Sequence, residues 1–593
     1  MLRGVEIIPV MRKGSSQVPN PSLRYHTLIV VMIFISRRSS IASKFHKILR
    51  RRERYSQSET PKGLSITCRG KPIVQEDLFR CTNGRFLVAE ETQYRRRYLK
   101  FNVQKLCDVA AALGDPSPVM QIDKMEGGFS KALLLTRADG QEYIAKLPCP
   151  NAGPSHLTTA SEVAVLQLVR SQTTIPVPRV LAWNSSSSNP VEAEYIVMEK
   201  APGTQLFQKW DDIDGDCRLS LIKQITELEH QLASIVFPAS GHLYFKDSIL
   251  KHKHTLLNSS IDTTFQYGIG PSCERSWDMD QTQLSSDSSR NPDVGPWKSV
   301  AAYGRALANR EIFRLRMQLS TRPDRSHHTK IEDDIPLLQK AANLMDILES
   351  YPLLKQNSRP TLWHTDLHMG NIFVSETEPQ TIVSLIDWQS ISVSPLFLQV
   401  RWPIFLEPPD DYTKGFVHPE LPSDFEKMDE DDKELAMYKF EQASRTKAYE
   451  TSTYLKNRDA YNAMNVPRVF RELFIRCGEV FEEGAAPLRA CLIEISQSWE
   501  QLKLPGTCPF SFTPDEISAH DVSFEEYEEF HRVRKFALEY LDTDSEGWIA
   551  PSMDFEEKKA QNKALFEYYL ENLAGGKSRK ELLRRWPFSE SLN

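Results

Sequence analysis

Three oxygen-bearing side chains stand at a spacing that suits phosphoryl transfer. Asp366 is followed five positions on by Asn371, inside Leu362-Trp-His-Thr-Asp-Leu-His-Met-Gly-Asn371, and Asp387 ends the apolar run of Leu385-Ile-Asp-Trp388, sixteen positions past the asparagine. Moving a γ-phosphoryl group demands positioning and charge neutralisation, with little covalent work for the protein. Asp366 is the expected catalytic residue, orienting an acceptor hydroxyl and taking its proton. Asn371, by its amide oxygen, and Asp387, by its carboxylate, are the expected ligands of Mg²⁺, a hard cation that prefers oxygen. Gly370 is expected to permit a tight turn before Asn371. His364 and His368 read as braces of the loop rather than as a metal site.

Such a site needs a nucleotide grip upstream, and the order of elements supplies one. Ile122 to Glu126, Ala132 to Thr136 and Glu142 to Leu147 read as strands, with Gly127-Gly-Phe-Ser130 between the first two and a hairpin turn at Asp139-Gly140. Taken alone, the two glycines suit an ordinary hairpin, and Lys146 suits a solvated strand lysine. The amphipathic helix predicted over Ala160 to Val169 raises both, because it carries Glu162 near its start. In a kinase-like lobe that glutamate pairs with Lys146 and holds it over the α- and β-phosphates. A buried strand, Glu194 to Met198, then leads into a short hinge whose backbone suits adenine. The expected nucleotide-binding set is Gly127, Gly128, Phe129, Ser130, Lys146, Glu162, Met198 and Glu199, with ATP and Mg²⁺ as cofactors.

With 593 residues the chain exceeds what one core usually holds. The predicted organisation is a basic transit-like, disordered segment over 1–70, an N-terminal extension over 71–119, a β-rich lobe over 120–202, a helical lobe over 203–520 with the catalytic loop and an insertion at 250–298, and a C-terminal helical extension over 521–593. Helices are expected at Val103 to Leu113, Leu219 to Val236, Val300 to Met317, Ile335 to Leu348, Glu426 to Asn457, Pro467 to Leu502, Tyr527 to Leu541 and Phe555 to Ala574. Lys577 to Arg585 is read as a basic tail.

The 73 Lys+Arg nearly balance 79 Asp+Glu for a formal charge of -6, so no nucleic-acid footprint dominates. Nine scattered cysteines with no CxxC pair speak against a disulfide framework and a zinc site, and for a reducing compartment. The apolar run Leu28 to Ile35 is far shorter than the ~20 residues of a membrane span. Its Arg-rich, acid-poor surroundings match an organellar transit peptide, with a secretory signal as the competing reading. Asp542 to Ile549 has the opening cadence of a calcium loop, but Met553 stands where the twelfth-position glutamate belongs, so a polar turn is expected.

H-x-D-x-x-x-x-N followed by a strand-terminal aspartate resembles the catalytic-loop pattern of eukaryotic-type kinases. The wording His-Thr-Asp-Leu-His-Met-Gly-Asn and Ile-Asp-Trp resembles the aminoglycoside phosphotransferase and choline kinase branch. Within it, Asn83-Gly-Arg-Phe86, Glu126-Gly-Gly-Phe-Ser130, Ile269-Gly-Pro271, Gly295-Pro-Trp297 and Asp544-Ser-Glu-Gly-Trp548 resemble the fungal altered inheritance of mitochondria protein 9 group, over roughly Lys71 to the C terminus. The resemblance implies an α+β, bilobal protein-kinase-like fold, with a small β-rich N-lobe and a large mainly helical C-lobe carrying insertions. It also implies ATP, magnesium and a mitochondrial address. No full G-x-G-x-x-G, Asp-Phe-Gly or Ala-Pro-Glu is present, which argues against protein phosphorylation.

Two functions follow. One is an ATP/Mg-dependent phosphotransferase acting on a hydroxyl of a small-molecule acceptor; the other is a catalytically silent kinase-fold scaffold for mitochondrial maintenance, with protein partners. Neither involves nucleic acid or an integral membrane span.

Overall fold

A computed structural model describes residues 63–278, 291–321, 325–572 and 577–592. Most of the transit-like segment, through residue 62, and residues 279–290 of the insertion lie outside them. The described chain divides into two compact units, one comprising residues 63–84 and 89–524 and the other comprising 85–88 and 525–592.

In the first unit, the small lobe is a seven-stranded sheet: β1 (Ser65–Cys68), β2 (Lys71–Pro72), β3 (Val119–Glu126), β4 (Ser130–Arg137), β5 (Glu142–Pro148), β6 (Val180–Asn184) and β7 (Tyr195–Glu199). Their order is β2-β1-β3-β4-β5-β7-β6. The strict alternation of β4 turns Lys131, Leu133, Leu135 and Arg137 inward. Leu133 and Leu135 join Ile66, Phe79, Leu106 and Ile122 in one core, which the Val103–Ala111 helix covers. The two inward lysines of this face are neutralised where they are buried. Lys124 and Lys131 both pair with Glu126, and both donate to the Arg80 carbonyl at the end of the Gln75–Phe79 helix.

These contacts move two expected boundaries. Folded structure begins before Lys71, because Ser65–Cys68 runs parallel to β3 with Ile66 opposite Ile122. The stretch expected as an N-terminal extension over 71–119 contributes Leu78, Phe79, Phe101, Val103, Leu106 and Ala110 to the small lobe's core, while its residues 85–88 belong to the second unit. The basic composition upstream hid a strand only four residues long.

The helical lobe contains the Gly215–Ser234, Val300–Thr321, Arg325–Ser350 and Glu430–Lys456 helices. The run expected over Pro467 to Leu502 is three helices, Arg468–Cys477, Val480–Glu483 and Ala486–Gln497, interrupted at Gly478 and at Gly484, which has φ +80°. Glycine there adopts a left-handed backbone that ends a helix. In the insertion, Tyr267–Gly270 pairs with both His242–Phe245 and Thr255–Leu256. Its described part is ordered around buried Trp277 and Trp297, whose rings are 5.0 Å apart.

In the second unit, Arg85 and Phe86 pair with Ile549 and Trp548. Two stretches far apart in sequence, both part of the family resemblance, thus meet. Asp544 accepts from the backbone amides of Glu546 and Trp548 at 2.9 and 3.0 Å, the polar turn expected in place of a calcium loop. The expected basic tail is a short helix, Arg579–Arg585, capped by Ser578 and Glu581. Among the described residues no helix is long and apolar enough to cross a membrane.

The Gly215–Ser234 and Glu430–Lys456 helices are joined by a buried bond in which the Tyr449 hydroxyl donates to Glu229 Oε2 at 2.8 Å. Burial pushes the Glu229 carboxyl up to about 8. It is raised above its unfolded value of 4.5, so the stability it contributes is complete below that value and is lost as pH rises through about 8. Glu229→Gln should therefore flatten the decline of Tm between mildly acidic and mildly alkaline pH and exceed wild type at the alkaline end. Thermal unfolding across that range checks it.

Candidate active site

Lys146 sits on β5 opposite Ala132 of β4 and Ile196 of β7. The helix against this sheet is longer than expected, Leu157–Gln172, and is buried along most of its length. Val163 packs on Ile196 and Met198, which brings the preceding residue, Glu162, over Lys146. Lys146 Nζ donates to Glu162 Oε1 at 2.7 Å and to Asp387 Oδ1 at 2.8 Å. The second bond spans 241 residues and joins the β lobe to the helical lobe.

The loop bearing the expected base and metal ligands is tied by its own backbone. It leaves the strand Pro360–Leu362 and enters the antiparallel pair Ile372–Val374 and Ile382–Leu385. Ile386 N donates to the Asn371 carbonyl at 3.0 Å, placing Asn371 beside the residue before Asp387. Asn371 Nδ2 donates to the Asp366 carbonyl at 2.9 Å. With its nitrogen so engaged, the amide presents its oxygen as the group for a cation. Asp387 has φ +62°, a left-handed backbone that costs a non-glycine residue energy and clusters at functional sites.

Both histidines brace the loop. His364 Nε2 lies 3.0 Å from the Ile386 carbonyl, and its ring meets the Trp388 ring edge-on at 4.8 Å. Burial holds its pKa down, so the imidazole is neutral and Nε2 carries the donated proton. His368 Nδ1 accepts from Gly370 N at 3.0 Å. The tight turn expected at Gly370 is present, with Asn371 N donating to the His368 carbonyl at 2.9 Å. The φ of Gly370 is not in the left-handed range, and a Cβ there would come within 2.7 Å of the His368 ring.

The charges of the site are coupled through one ammonium. Burial opposes charge on Lys146, but Asp387 and Glu162 outweigh it and raise its pKa. Burial likewise opposes charge on Asp387, and Lys146 overrides it, holding the carboxyl below the usual range. Glu162 shifts upward because burial prevails where the single ammonium is shared. Asp366 lies close enough to disfavour charge on Asp387. Of the residues gathered here, Asn371 and Asp387 carry the oxygens that could hold a divalent ion beside the shared ammonium. Among the described residues, no group of three or more His, Cys, Asp or Glu could hold a metal.

The glycine turn stands at the β3–β4 junction, and Gly127 N donates to Ser130 O at 3.2 Å. A Cβ at Gly128 would meet nothing within 4 Å, so this backbone is open on its outer side. Its position is set by residues that sequence reasoning missed. Arg97 Nε and Asn151 Nδ2 donate to the Gly128 carbonyl at 3.1 and 3.3 Å, and the Arg275 guanidinium lies 4.0 Å from the Phe129 ring centroid. Arg97 stands in the Tyr94-Arg-Arg-Arg-Tyr-Leu99 run, but nothing in that run says which arginine turns inward. At the lobe connection Met198 is buried and Glu199 N donates to Arg179 O at 3.0 Å, so that amide is already engaged. Gly203, with φ +80°, lets the connection cross Ile372–Val374; a Cβ there would lie 2.2 Å from the Val374 carbonyl.

Fold and site together define the class: an α+β protein with a β-rich lobe and a mainly helical one, joined at the Lys146–Asp387 contact. Residues 293–398, which include Asp366, Asn371 and Asp387, match the Phosphotransferase enzyme family. A protein of Aspergillus fumigatus named subtelomeric hrmA-associated cluster protein is 29% identical over 500 residues, covering 78% of this chain and 96% of the relative. The Yarrowia lipolytica protein named altered inheritance of mitochondria protein 9, mitochondrial, is 21% identical over 519 residues, 81% of this chain and 85% of the relative. The resemblance read from the motifs is thus shared by curated relatives. Among solved structures, aminoglycoside phosphotransferase APH(2'')-Ib with ADP bound is 11% identical, covering 64% of this chain and 98% of that one, with a TM-score of 0.28.

Lys146 and Glu162 side chains are 11% and 5% exposed, so removing one partner strands the other. Lys146→Met should cost about 3 kcal/mol, the lower part of the range for a broken buried pair because Asp387 is 45% exposed. Lys146→Met/Glu162→Leu should recover much of that loss. Denaturant titration of the two variants beside wild type measures both.

Proposed function

We propose that this protein is an ATP/Mg-dependent phosphotransferase that phosphorylates a hydroxyl of a small molecule. The observation that carries the reading is the bridge from Lys146 to both Glu162 and Asp387, with Asp366 and Asn371 locked into one loop beside it. In this reading the Gly127-Gly-Phe-Ser130 turn covers the phosphates, Lys146 steadies the α- and β-phosphates, and Met198 and Glu199 border the adenine. Asn371 and Asp387 hold magnesium, which neutralises the phosphate charge. Asp366 accepts the hydroxyl proton as the oxygen–phosphorus bond forms. The Arg-rich start of the chain and the relatives named as mitochondrial support a mitochondrial address.

ATP with Mg²⁺ should raise Tm, and Asp387→Ala should abolish that rise. Asp366→Asn should keep the nucleotide-dependent rise while lowering phosphate transfer at least ~100-fold, the scale of a lost general base. Thermal shift and transfer of labelled γ-phosphate into a metabolite extract are the measurements. Undiminished transfer by Asp366→Asn would remove that residue's assigned role. Full rescue of a knockout by Asp366→Asn, with transfer abolished, would make the biological role a nucleotide-dependent scaffold.

A further inference from the structure

The Gly127-Gly-Phe-Ser130 turn has little of its own to keep it in one place. Two adjacent glycines leave its backbone free to rotate, and nothing lies within 4 Å of where a Cβ at Gly128 would stand. Its constraints come from other segments. The turn after β5 supplies two, since Cys149 N donates to the Phe129 carbonyl at 2.9 Å and Asn151 Nδ2 to the Gly128 carbonyl at 3.3 Å. Arg97 supplies a third through the same Gly128 carbonyl. The fourth comes from the insertion, whose Arg275 places its guanidinium carbon 4.0 Å from the centre of the Phe129 ring.

The segment that carries Arg275 is firmly mounted on the helical lobe. Ser272 N donates to the Val294 carbonyl at 2.7 Å, and Cys273 N to His242 Nδ1 at 3.3 Å. The Val300–Thr321 helix grips Ser276, whose Oγ accepts from Arg310 Nη1 at 3.1 Å and whose carbonyl accepts from Arg314 Nη2. Trp277 is buried, with the Trp297 ring 5.0 Å away and the Arg310 guanidinium 4.5 Å from its own ring centre. Arg310 also donates to the Gly478 carbonyl at 2.5 Å. The same segment backs onto the turn after β5, because Gly153, with φ +137°, passes so close that a Cβ would lie 2.7 Å from the Cys273 carbonyl oxygen. Backbone at 273 and side chain at 275 thus form two routes from the helical lobe to the glycine turn. Arg275 itself is exposed, so the core does not require it.

We propose that Arg275 is a positioning residue for the nucleotide phosphates, acting through Phe129. The inference rests on the phosphotransferase reading above. A cation over an aromatic face is held there by the negative charge of the ring's π-system. Holding the Phe129 ring holds the backbone of Gly128, Phe129 and Ser130, whose place over the phosphates is otherwise left to two flexible glycines. The ordering cost of the turn is then met before the nucleotide arrives, which raises affinity for it. The insertion accordingly belongs to the nucleotide grip, and its Arg310 and Arg314 anchors set the height of the turn above the helical lobe.

Two measurements on the full chain test this. In calorimetric titration with AMP-PNP·Mg²⁺, Arg275→Ala should weaken affinity about two- to fivefold, the scale of an exposed cation–π contact. Phe129→Leu should weaken it at least as much, Arg275→Ala/Phe129→Leu should lose nothing beyond Phe129→Leu alone, and Arg275→Lys should recover most of the loss because it keeps a cation over the ring. In hydrogen exchange of the unliganded protein, Arg275→Ala should speed exchange in peptides covering 127–130 by a similar factor, with Tm and the rest of the small lobe unchanged. Undiminished affinity in Arg275→Ala, or losses that simply add in the double variant, would overturn the proposal while leaving nucleotide binding intact. Exchange raised across the whole small lobe together with a lowered Tm would make Arg275 a merely structural residue. Absence of nucleotide binding by the wild-type protein would remove the phosphotransferase reading itself, and this inference with it.

Discussion

One ammonium holds this site together. Lys146 is drawn out of water by the sheet and helix around it, and it remains charged because Glu162 and Asp387 lie on either side at 2.7 and 2.8 Å. The desolvation of three ionised groups is tolerated only where each finds a partner. This arrangement ties β5, the Leu157–Gln172 helix and the end of the Ile382–Leu385 strand to a common point. It also leaves a local excess of negative charge beside Asp366, the condition under which a divalent cation with its nucleotide is welcome.

The same principle recurs around the site with different partners. Lys124 and Lys131 are buried against Glu126 and against carbonyls of the N-terminal stretch, so the strands flanking the glycine turn are anchored behind it. Arg97 secures the turn through the Gly128 carbonyl, and Arg275, from the insertion, lies on Phe129 at its tip.

Much of the candidate site's arrangement was legible in advance because its parts are local. Asp366 and Asn371 share one loop, and the apolar residues before Asp387 announce a strand by their alternation and length. The glycine turn and Lys146 followed from strand spacing, and Glu162 from helical spacing. What escaped was whatever depends on which side chain faces inward. The inward arginine at 97 has two arginine neighbours that point elsewhere, and the buried lysines of β3 and β4 carry no sequence signal of their carbonyl partners. The turn at Gly370 was legible, but the closeness of the His368 ring to it was not.

By itself the amino-acid order determined the candidate loop and most of the elements around it, since residue type and short-range spacing are what the proposed phosphate-handling loop requires, and hydrophobic period is what separates strands from helices. Only the tertiary structure decided that Lys146 meets Asp387 across 241 residues, and that Ser65–Cys68 completes the sheet of the small lobe. It alone showed that Arg85–Phe86 meets Trp548–Ile549. Each of these is a pairing between distant segments. Such pairings are set by burial and by the satisfaction of charges and hydrogen bonds in three dimensions, quantities that no linear spacing encodes.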